Sequence, residues 1–149
     1  MRKIFLIFLV TVTAIIFSGC CHFFPWGDNE SPQENDEPVQ IEDVTTMVPC
    51  WFESEGVPTL VNDYASLYEI CSSADSIDFS NNSVILVSGH STFGISNISA
   101  EMTRNGGIYT LTINVTQNFA TVVQPWRKCY KTPKITSPDN IQLIVNYAH

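Results

Sequence analysis

The stretch of sequence that decides the fold is Ser83-Val-Ile-Leu-Val-Ser-Gly-His-Ser-Thr-Phe-Gly-Ile-Ser96. Four consecutive apolar residues, Val84 to Val87, predict a strand that is buried on both of its faces. Gly89 and Gly94 flank the polar part that follows, and we expect them to turn the chain sharply where a Cβ atom would clash. The stretch therefore predicts a central strand followed by a loop, with Phe93 filling the end of the core.

The clearest hairpin lies just downstream of this loop. Apolar and polar residues alternate over residues 98–103 and again over residues 109–116. The intervening Asn105-Gly106-Gly107 is a strong tight-turn signal. Residues 47–52 and 57–61 each contain a proline, and we expect edge strands or extended segments there. Residues 119–124, ended by Pro125, and residues 129–136 have weaker strand patterns. Residues 141–147 alternate again, and we expect them to close the sheet.

One helix is expected over Tyr64 to Cys71, with Asn62 or Asp63 as its N-cap. Its predicted buried stripe has helical spacing and consists of Tyr64, Leu67, Tyr68 and Cys71. Together these patterns predict a mainly β (α+β) fold. We expect an antiparallel β-sandwich or partly open barrel of six to seven short strands with one short helix.

The N-terminus is typical of an exported protein. Arg2 and Lys3 precede an apolar run that ends at Phe17, too short to be a comfortable membrane span. Residues 1–19 are therefore interpreted as a signal peptide. The Ser18-Gly19-Cys20 ending resembles the lipobox of bacterial lipoproteins, which implies cleavage before Cys20 and lipidation of its thiol, with palmitate among the acyl groups. Two alternatives are a plain signal peptide with a chance cysteine, and lipidation of Cys21 instead.

Charge is distributed unevenly along the chain, whose net charge is −8. Between Asp28 and Asp78 there are 13 acidic residues and no basic ones. We interpret residues 20–43 as the lipidated cysteine and an acidic disordered tether, and residues 44–149 as a single β-rich domain. Nucleic acid is not an expected partner, because the chain has too few cations to replace the counterions around phosphates.

Three cysteines lie in the predicted domain, and an exported protein would expose them to an oxidising compartment. A disulfide between Cys50 and Cys71 is the preferred pairing, which leaves Cys129 free and buried. Pairing of Cys129 with Cys50 or with Cys71 stays open, because spacing alone does not decide connectivity.

His90 and Ser91 invite a hydrolase interpretation, but the sequence around them lacks the G-x-S-x-G pattern, and adjacent residues of an extended chain point to opposite faces. We therefore expect no catalytic residues, no metal site and no cofactor. The basic segment Arg127-Lys-Cys-Tyr-Lys-Thr-Pro-Lys134 suggests a patch for an acidic partner or for the acidic tether. The candidate binding surface comprises His90, Ser91, Phe93, Trp126, Arg127 and Lys128.

Several further segments stand in a characteristic order: Ile77-Asp-Phe79, Val84 to Ile95, Tyr109 to Val115, Val123-Gln-Pro-Trp126 and Gln142 to Val145. Their order and spacing resemble those of small lipoproteins of Bacteroidetes. The same order is similar, more distantly, to the C-terminal β-domain of PrcB-type protease-complex subunits. In that family the loop equivalent to residues 88–94 is richer in glycine, and Phe93 stands where a second glycine is often seen.

This resemblance implies a binding or assembly module without catalytic residues. The sequence thus predicts a lipoprotein anchored in the bacterial outer membrane, whose β-domain binds a protein or a glycan. The alternative is a secreted or anchored hydrolase, or a protease inhibitor, that uses the loop at residues 88–94.

Overall fold

Two four-stranded sheets lie face to face in the computed structural model, which describes residues 36–54 and 56–149. In chain order the strands are β1 (Glu37–Pro38), β2 (Glu42–Asp43), β3 (Thr59–Val61), β4 (Asn82–Ser91), β5 (Ile95–Asn105), β6 (Ile108–Gln117), β7 (Gln124–Pro133) and β8 (Ile141–Ala148). One α-helix, α1 (Tyr64–Ile70), and two short 3-10 helices (Thr45–Met47 and Pro138–Asn140) complete the described part. The predicted mainly β fold with one short helix is confirmed, and its architecture is that of a sandwich.

The strand order is β1-β5-β6-β8 in sheet A and β2-β7-β4-β3 in sheet B. All pairs are antiparallel except β6 and β8, which run parallel. After β6 the chain crosses to sheet B to form β7 and then returns, so β8 enters sheet A in the same direction as β6. The predicted hairpin of β5 and β6 is present, and its turn places Gly106 and Gly107 at positive φ angles of 54° and 94°.

Sheet B is covered on both faces, which explains the apolar run at its centre. Val84 and Leu86 of β4 pack under α1 and the segments beside it, in a cluster that includes Val48, Leu67 and Cys129. The alternate residues Ile85 and Val87 face sheet A, in a second cluster that includes Leu111, Ile113, Trp126 and Tyr130. The prediction that Val84 to Val87 form a central strand buried on both faces is confirmed.

Helix α1 begins where the capping pattern predicts. The Asp63 carboxylate accepts a hydrogen bond from the Ser66 backbone N–H at 2.8 Å and so satisfies one of the free donors of the first turn. The predicted apolar stripe is only half correct. Leu67 and Cys71 are buried, whereas Tyr64 and Tyr68 stay exposed, because the short helix has a protein neighbour on only part of its surface.

Residues 47–52, predicted to be an edge strand or an extended segment, contain the end of a 3-10 helix and irregular chain and form no strand. The strand predicted over residues 119–124 was wrong, because residues 119–123 form an exposed loop. Strand β7 instead begins at Gln124, and Pro125 lies inside it, opposite His90. Proline is tolerated there because β2, the other neighbour of β7, pairs only with Tyr130 and Lys131, so the missing N–H faces no partner strand.

Part of the segment predicted to be a disordered tether takes part in the two sheets. Residues 37–43, at the end of the predicted tether, contribute β1 and β2. Val39 and Ile41, between the two short strands, pack against the core shared by the sheets. Their two apolar side chains give this acidic segment enough buried surface to stay ordered.

The predicted signal peptide, Cys20, Cys21 and most of the predicted tether lie outside the described residues. Within residues 36–54 and 56–149, no helix combines the length and the apolar character needed to span a membrane.

Candidate functional site

Trp126 packs across Gly89, and this contact organises one end of the sandwich. The two residues are directly opposite each other on β7 and β4. A Cβ atom added to Gly89 would lie 2.7 Å from Cζ2 of the indole. Gly89 therefore serves close approach rather than the predicted turn, and β4 continues through it as far as Ser91. The indole is 4% exposed, so Trp126 is part of the core and not of an open binding surface.

Tyr147 of β8 closes the same end of the core, although it was not among the residues predicted for the binding surface. Its hydroxyl accepts a hydrogen bond from Trp126 Nε1 at 3.3 Å and donates one to the His90 carbonyl oxygen at 3.0 Å. These bonds join β8 of sheet A to β7 and β4 of sheet B. A solvent-open depression of about 370 Å³ lies beside them, lined by Gly56, Ser88, Gly89, His90, Trp126, Val145 and Tyr147.

His90 and Ser91 do not form a nucleophile and base pair. The hydroxyl of Ser91 is buried and donates to the Phe93 carbonyl oxygen at 2.7 Å. It also accepts hydrogen bonds from the Phe93 backbone N–H and from Gln117 Nε2. His90 is exposed on the opposite face of β4. Ser91 thus holds the turn after β4 in place, which gives the hydrolase interpretation of this loop no geometric support.

Beyond Ser91, two loops brace each other through their backbones. They connect β4 to β5 (residues 92–94) and β6 to β7 (residues 118–123). The Gly94 N–H donates to the Ala120 carbonyl oxygen at 2.8 Å, and the Asn118 N–H donates to the Gly94 carbonyl oxygen at 2.7 Å. The Asn118 side-chain oxygen also accepts from the Ala120 N–H. Gly94 has no positive φ; its missing Cβ leaves room for the Asn118 amide instead.

The braced loops expose several large apolar side chains. Phe119 is 91% exposed, and Val122 and Val123 beside it are also exposed. The ring of His149 stacks on Phe119 with centroids 6.1 Å apart and meets the edge of Phe93 at 4.8 Å. We call Phe93, Phe119, Val122, Val123 and His149 the apolar tip. Phe93 is half-buried against His149 and does not fill the core, contrary to expectation.

Arg127 and Lys128, the basic members of the predicted surface, do not join the apolar tip. The Arg127 guanidinium donates to the Pro49 carbonyl oxygen at 2.7 Å and lies 5.6 Å from the centre of the exposed Trp51 ring. Lys128 Nζ contacts an Asp43 carboxylate oxygen at 2.6 Å. Lys131 pairs in the same way with Glu42. The two lysines of β7 thus bind the acids of β2, which lies within the segment predicted to be the acidic tether, whereas Arg127 contacts no acid among the described residues.

The cysteines have the arrangement preferred from the sequence. The Sγ atoms of Cys50 and Cys71 are 2.11 Å apart, within bonding distance. Cys129 is free and fully buried in sheet B, and burial raises the pKa of its thiol to about 12. A thiol with that pKa stays protonated at neutral pH, so Cys129 is a packing residue rather than a nucleophile.

In the part of the chain that the structure describes, no three His, Cys, Asp or Glu side chains are grouped closely enough to hold a metal ion. Comparison with protein-family models, with curated proteins and with solved structures finds no match to this chain. The apolar tip is the candidate site. Its signal in the sequence was the presence of Phe119, Val122 and Val123 in one short segment, whose apolar composition had favoured a strand.

Proposed function

We propose that the protein is a lipoprotein anchored in the bacterial outer membrane, whose β-domain binds another protein through the apolar tip. The observation that carries the proposal is the nearly complete exposure of Phe119 on a loop whose backbone is already hydrogen-bonded. A soluble protein gains nothing from holding a phenylalanine in water, whereas an interface gains from burying it. Aromatic anchors of this kind dominate the energetics of many protein interfaces.

The energetics favour this tip over other exposed positions. Full burial of one phenylalanine side chain stabilises a complex by roughly 1.5–3 kcal/mol. Because residues 92–94 and 118–123 already brace each other, binding has less loop entropy to overcome. Loops at the end of a rigid sandwich are also where binding residues commonly lie.

Two features of the sequence support the rest of the proposal. The Ser18-Gly19-Cys20 ending supports a lipid anchor on Cys20. The resemblance to Bacteroidetes lipoproteins and to the β-domain of PrcB-type subunits supports an assembly role without catalysis. The hydrolase alternative is not proposed, since the Ser91 hydroxyl is committed to Phe93 and Gln117.

Site-specific photocrosslinking of the full chain in native membranes tests the binding site. A photoreactive phenylalanine analogue at Phe119 should give one discrete crosslinked product. The matched control is the same analogue at Ile108, which is also exposed and apolar but lies at the opposite end of β6. Equal crosslinking from both positions, or none from Phe119, would refute the apolar tip as a binding site.

Membrane fractionation tests the anchor separately. Cys20→Ala should move the protein into the soluble fraction, because the lipid acceptor is lost. Cys21→Ala is the matched control and should leave it in the membrane fraction. Release by the control instead of Cys20→Ala would assign the lipid to Cys21, and retention of both variants would refute the anchor.

A further inference from the structure

Within the part of the chain that the structure describes, strand β8 leaves one long side of the sandwich unpaired. It pairs with β6 from Tyr109↔Ile141 to Thr116↔Ala148, and it is the last strand of sheet A. Among the described residues, the backbone of Gln142 to Ala148 makes no hydrogen bond other than those of this ladder. The outer row of its N–H and C=O groups is therefore a template for another strand.

The other edges of the two sheets are protected, whereas β8 is not. Strand β1 has two residues and contains Pro38, β2 consists of two acidic residues, and β3 has three residues. The part of β5 that β1 leaves free carries Glu101 and a register irregularity near Ile95. Such short lengths, prolines, charges and irregularities discourage edge pairing. The eight residues of β8 include no proline and no charged side chain.

The chemistry of β8 identifies its partner strand. The side chains of Ile141-Gln-Leu-Ile-Val-Asn-Tyr147 are arranged symmetrically about Ile144. Apolar Leu143 and Val145 flank Ile144, the amides Gln142 and Asn146 come next, and the large side chains Ile141 and Tyr147 stand at the two ends. An antiparallel copy with Ile144 opposite Ile144 would place Gln142 against Asn146. We propose that two copies of this chain form a two-fold symmetric dimer by antiparallel pairing of their β8 strands, with Ile144 at the axis.

This register suits the burial pattern and the charge of the chain. Ile144 is 46% exposed on the outer face of sheet A, between the exposed Gln142 and Asn146. Directly opposed apolar side chains stabilise a strand pair, whereas opposed like charges destabilise it. The chain carries a net charge of −8, but β8 brings no charge to the contact. A shift that put Val145 at the axis would set Ile144 against Asn146, so the apolar pattern favours a single register.

Cysteine crosslinking of the full chain in native membranes tests the dimer. Opposed residues of antiparallel strands have Cα atoms about 4.5–5.5 Å apart, which lies within the range that a disulfide spans. Ile144→Cys should therefore give a product of twice the chain mass after mild oxidation. Asn146→Cys should not, because Asn146 lies opposite Gln142 of the second copy. It is therefore four residues along the strand, roughly 13 Å, from Asn146 of that copy.

Co-expressed Gln142→Cys and Asn146→Cys chains should again crosslink. The wild-type chain sets the background, and Ser99→Cys, exposed on β5, is the matched control.

Charge substitution provides a second measurement that needs no oxidation. Sedimentation in detergent should show dimers for wild type and for Ser99→Lys, but monomers for Ile144→Lys and for Ile144→Glu. A mixture of the two Ile144 variants should restore the dimer, since opposite charges then meet at the axis. A monomeric wild type would overturn the proposal. So would Ile144→Cys crosslinked only to a different protein, which would make β8 a docking edge for that protein. The outcome is independent of crosslinking at Phe119.

Discussion

Sheets A and B of this sandwich differ in how many of their faces the rest of the protein covers. We expect sheet B to contribute mainly to the stability of the fold, and the outer face and edge of sheet A to contribute to association with other chains. Sheet B packs against α1 on one face and against sheet A on the other, so its centre reads as a continuous apolar run. The described residues cover sheet A on one face only, and its strands alternate between apolar and polar residues. Substitutions in sheet B should therefore affect the free energy of unfolding, and those on the outer face or edge of sheet A should affect association instead.

The largest expected effect comes from opening a cavity in sheet B. Leu86→Ala removes a fully buried side chain and should lower the free energy of unfolding by about 2–5 kcal/mol. Ser99→Ala, on the outer face of sheet A, is the matched control and should change it by less than about 0.5 kcal/mol. Denaturant titration of both variants measures the contrast. Equal losses would mean that the two sheets do not differ as described.

Loss of the Cys50–Cys71 bond should rank next, because it joins the irregular chain over sheet B to the end of α1. The two residues are 21 positions apart, and closing a loop of that size stabilises the fold by about 3 kcal/mol on the chain-entropy model. Cys50→Ser with Cys71→Ser should lower the denaturation midpoint. Cys129→Ser is the comparison variant: it replaces a buried cysteine by serine but leaves the Cys50–Cys71 disulfide intact. A non-reducing peptide map that found Cys129 bridged would contradict this pairing.

The contact between Gly89 and Trp126 should give an intermediate effect. Gly89→Ala forces its new methyl group against the indole and should cost about 1–3 kcal/mol of unfolding free energy. The cost should shrink in a Trp126→Phe background, because the smaller ring leaves room. A double-mutant cycle measures this coupling. If the free-energy costs of Gly89→Ala and Trp126→Phe simply add, the need for glycine at position 89 does not come from the close approach of the Trp126 indole.

The smallest expected effect is electrostatic and lies at the β2 edge of sheet B. Burial alone would raise the pKa of Asp43, but hydrogen bonds from Lys128 and Thr45 outweigh it and hold the pKa below its usual 3.8. A carboxyl group with a depressed pKa in the folded state stabilises the fold above its unfolded pKa, and this contribution is lost as the pH falls through the folded value. The stability of wild type should therefore decline below about pH 4 more steeply than that of Asp43→Asn. Asp43 is about half exposed, so the difference should be small.

Denaturant titrations of both chains between about pH 2.5 and 6 would measure this difference. The matched control is Asp139→Asn, whose carboxyl group is exposed and has no ion pair among the described residues. It should reproduce the wild-type dependence on pH. Parallel curves for wild type and Asp43→Asn would show that the pair with Lys128 does not contribute to stability.

Local patterns predicted much of the fold because they report burial directly. Val84 to Val87 indicated a strand covered on both faces, and Asn105-Gly106-Gly107 indicated the tight turn of the hairpin. The capping role of Asp63 was also predictable, since it depends on residues only three positions apart. The same patterns failed at residues 119–123, where apolar composition indicated a strand although the side chains are exposed.

Contacts between distant residues were beyond prediction from one sequence. The candidate surface was split because Trp126 and Arg127 are neighbours in the chain but face opposite sides of β7. Tyr147 gained its role only through Trp126 and His90, which lie on two other strands. Likewise, the contact of Phe93 with His149 depends on the pairing of β8 with β6, because His149 directly follows β8.

The sequence by itself determined which segments could be buried, where the hairpin turns and where the helix begins, because these features depend on neighbouring residues and on hydrophobic periodicity. Only the tertiary structure decided that Gly89 accommodates an indole, that β1 and β2 extend the sheets into the acidic segment, and that no strand of residues 36–54 or 56–149 pairs with the outer edge of β8. These features depend on which strands pair across the two sheets. Pairing brings together residues far apart in the chain, and no local pattern records it.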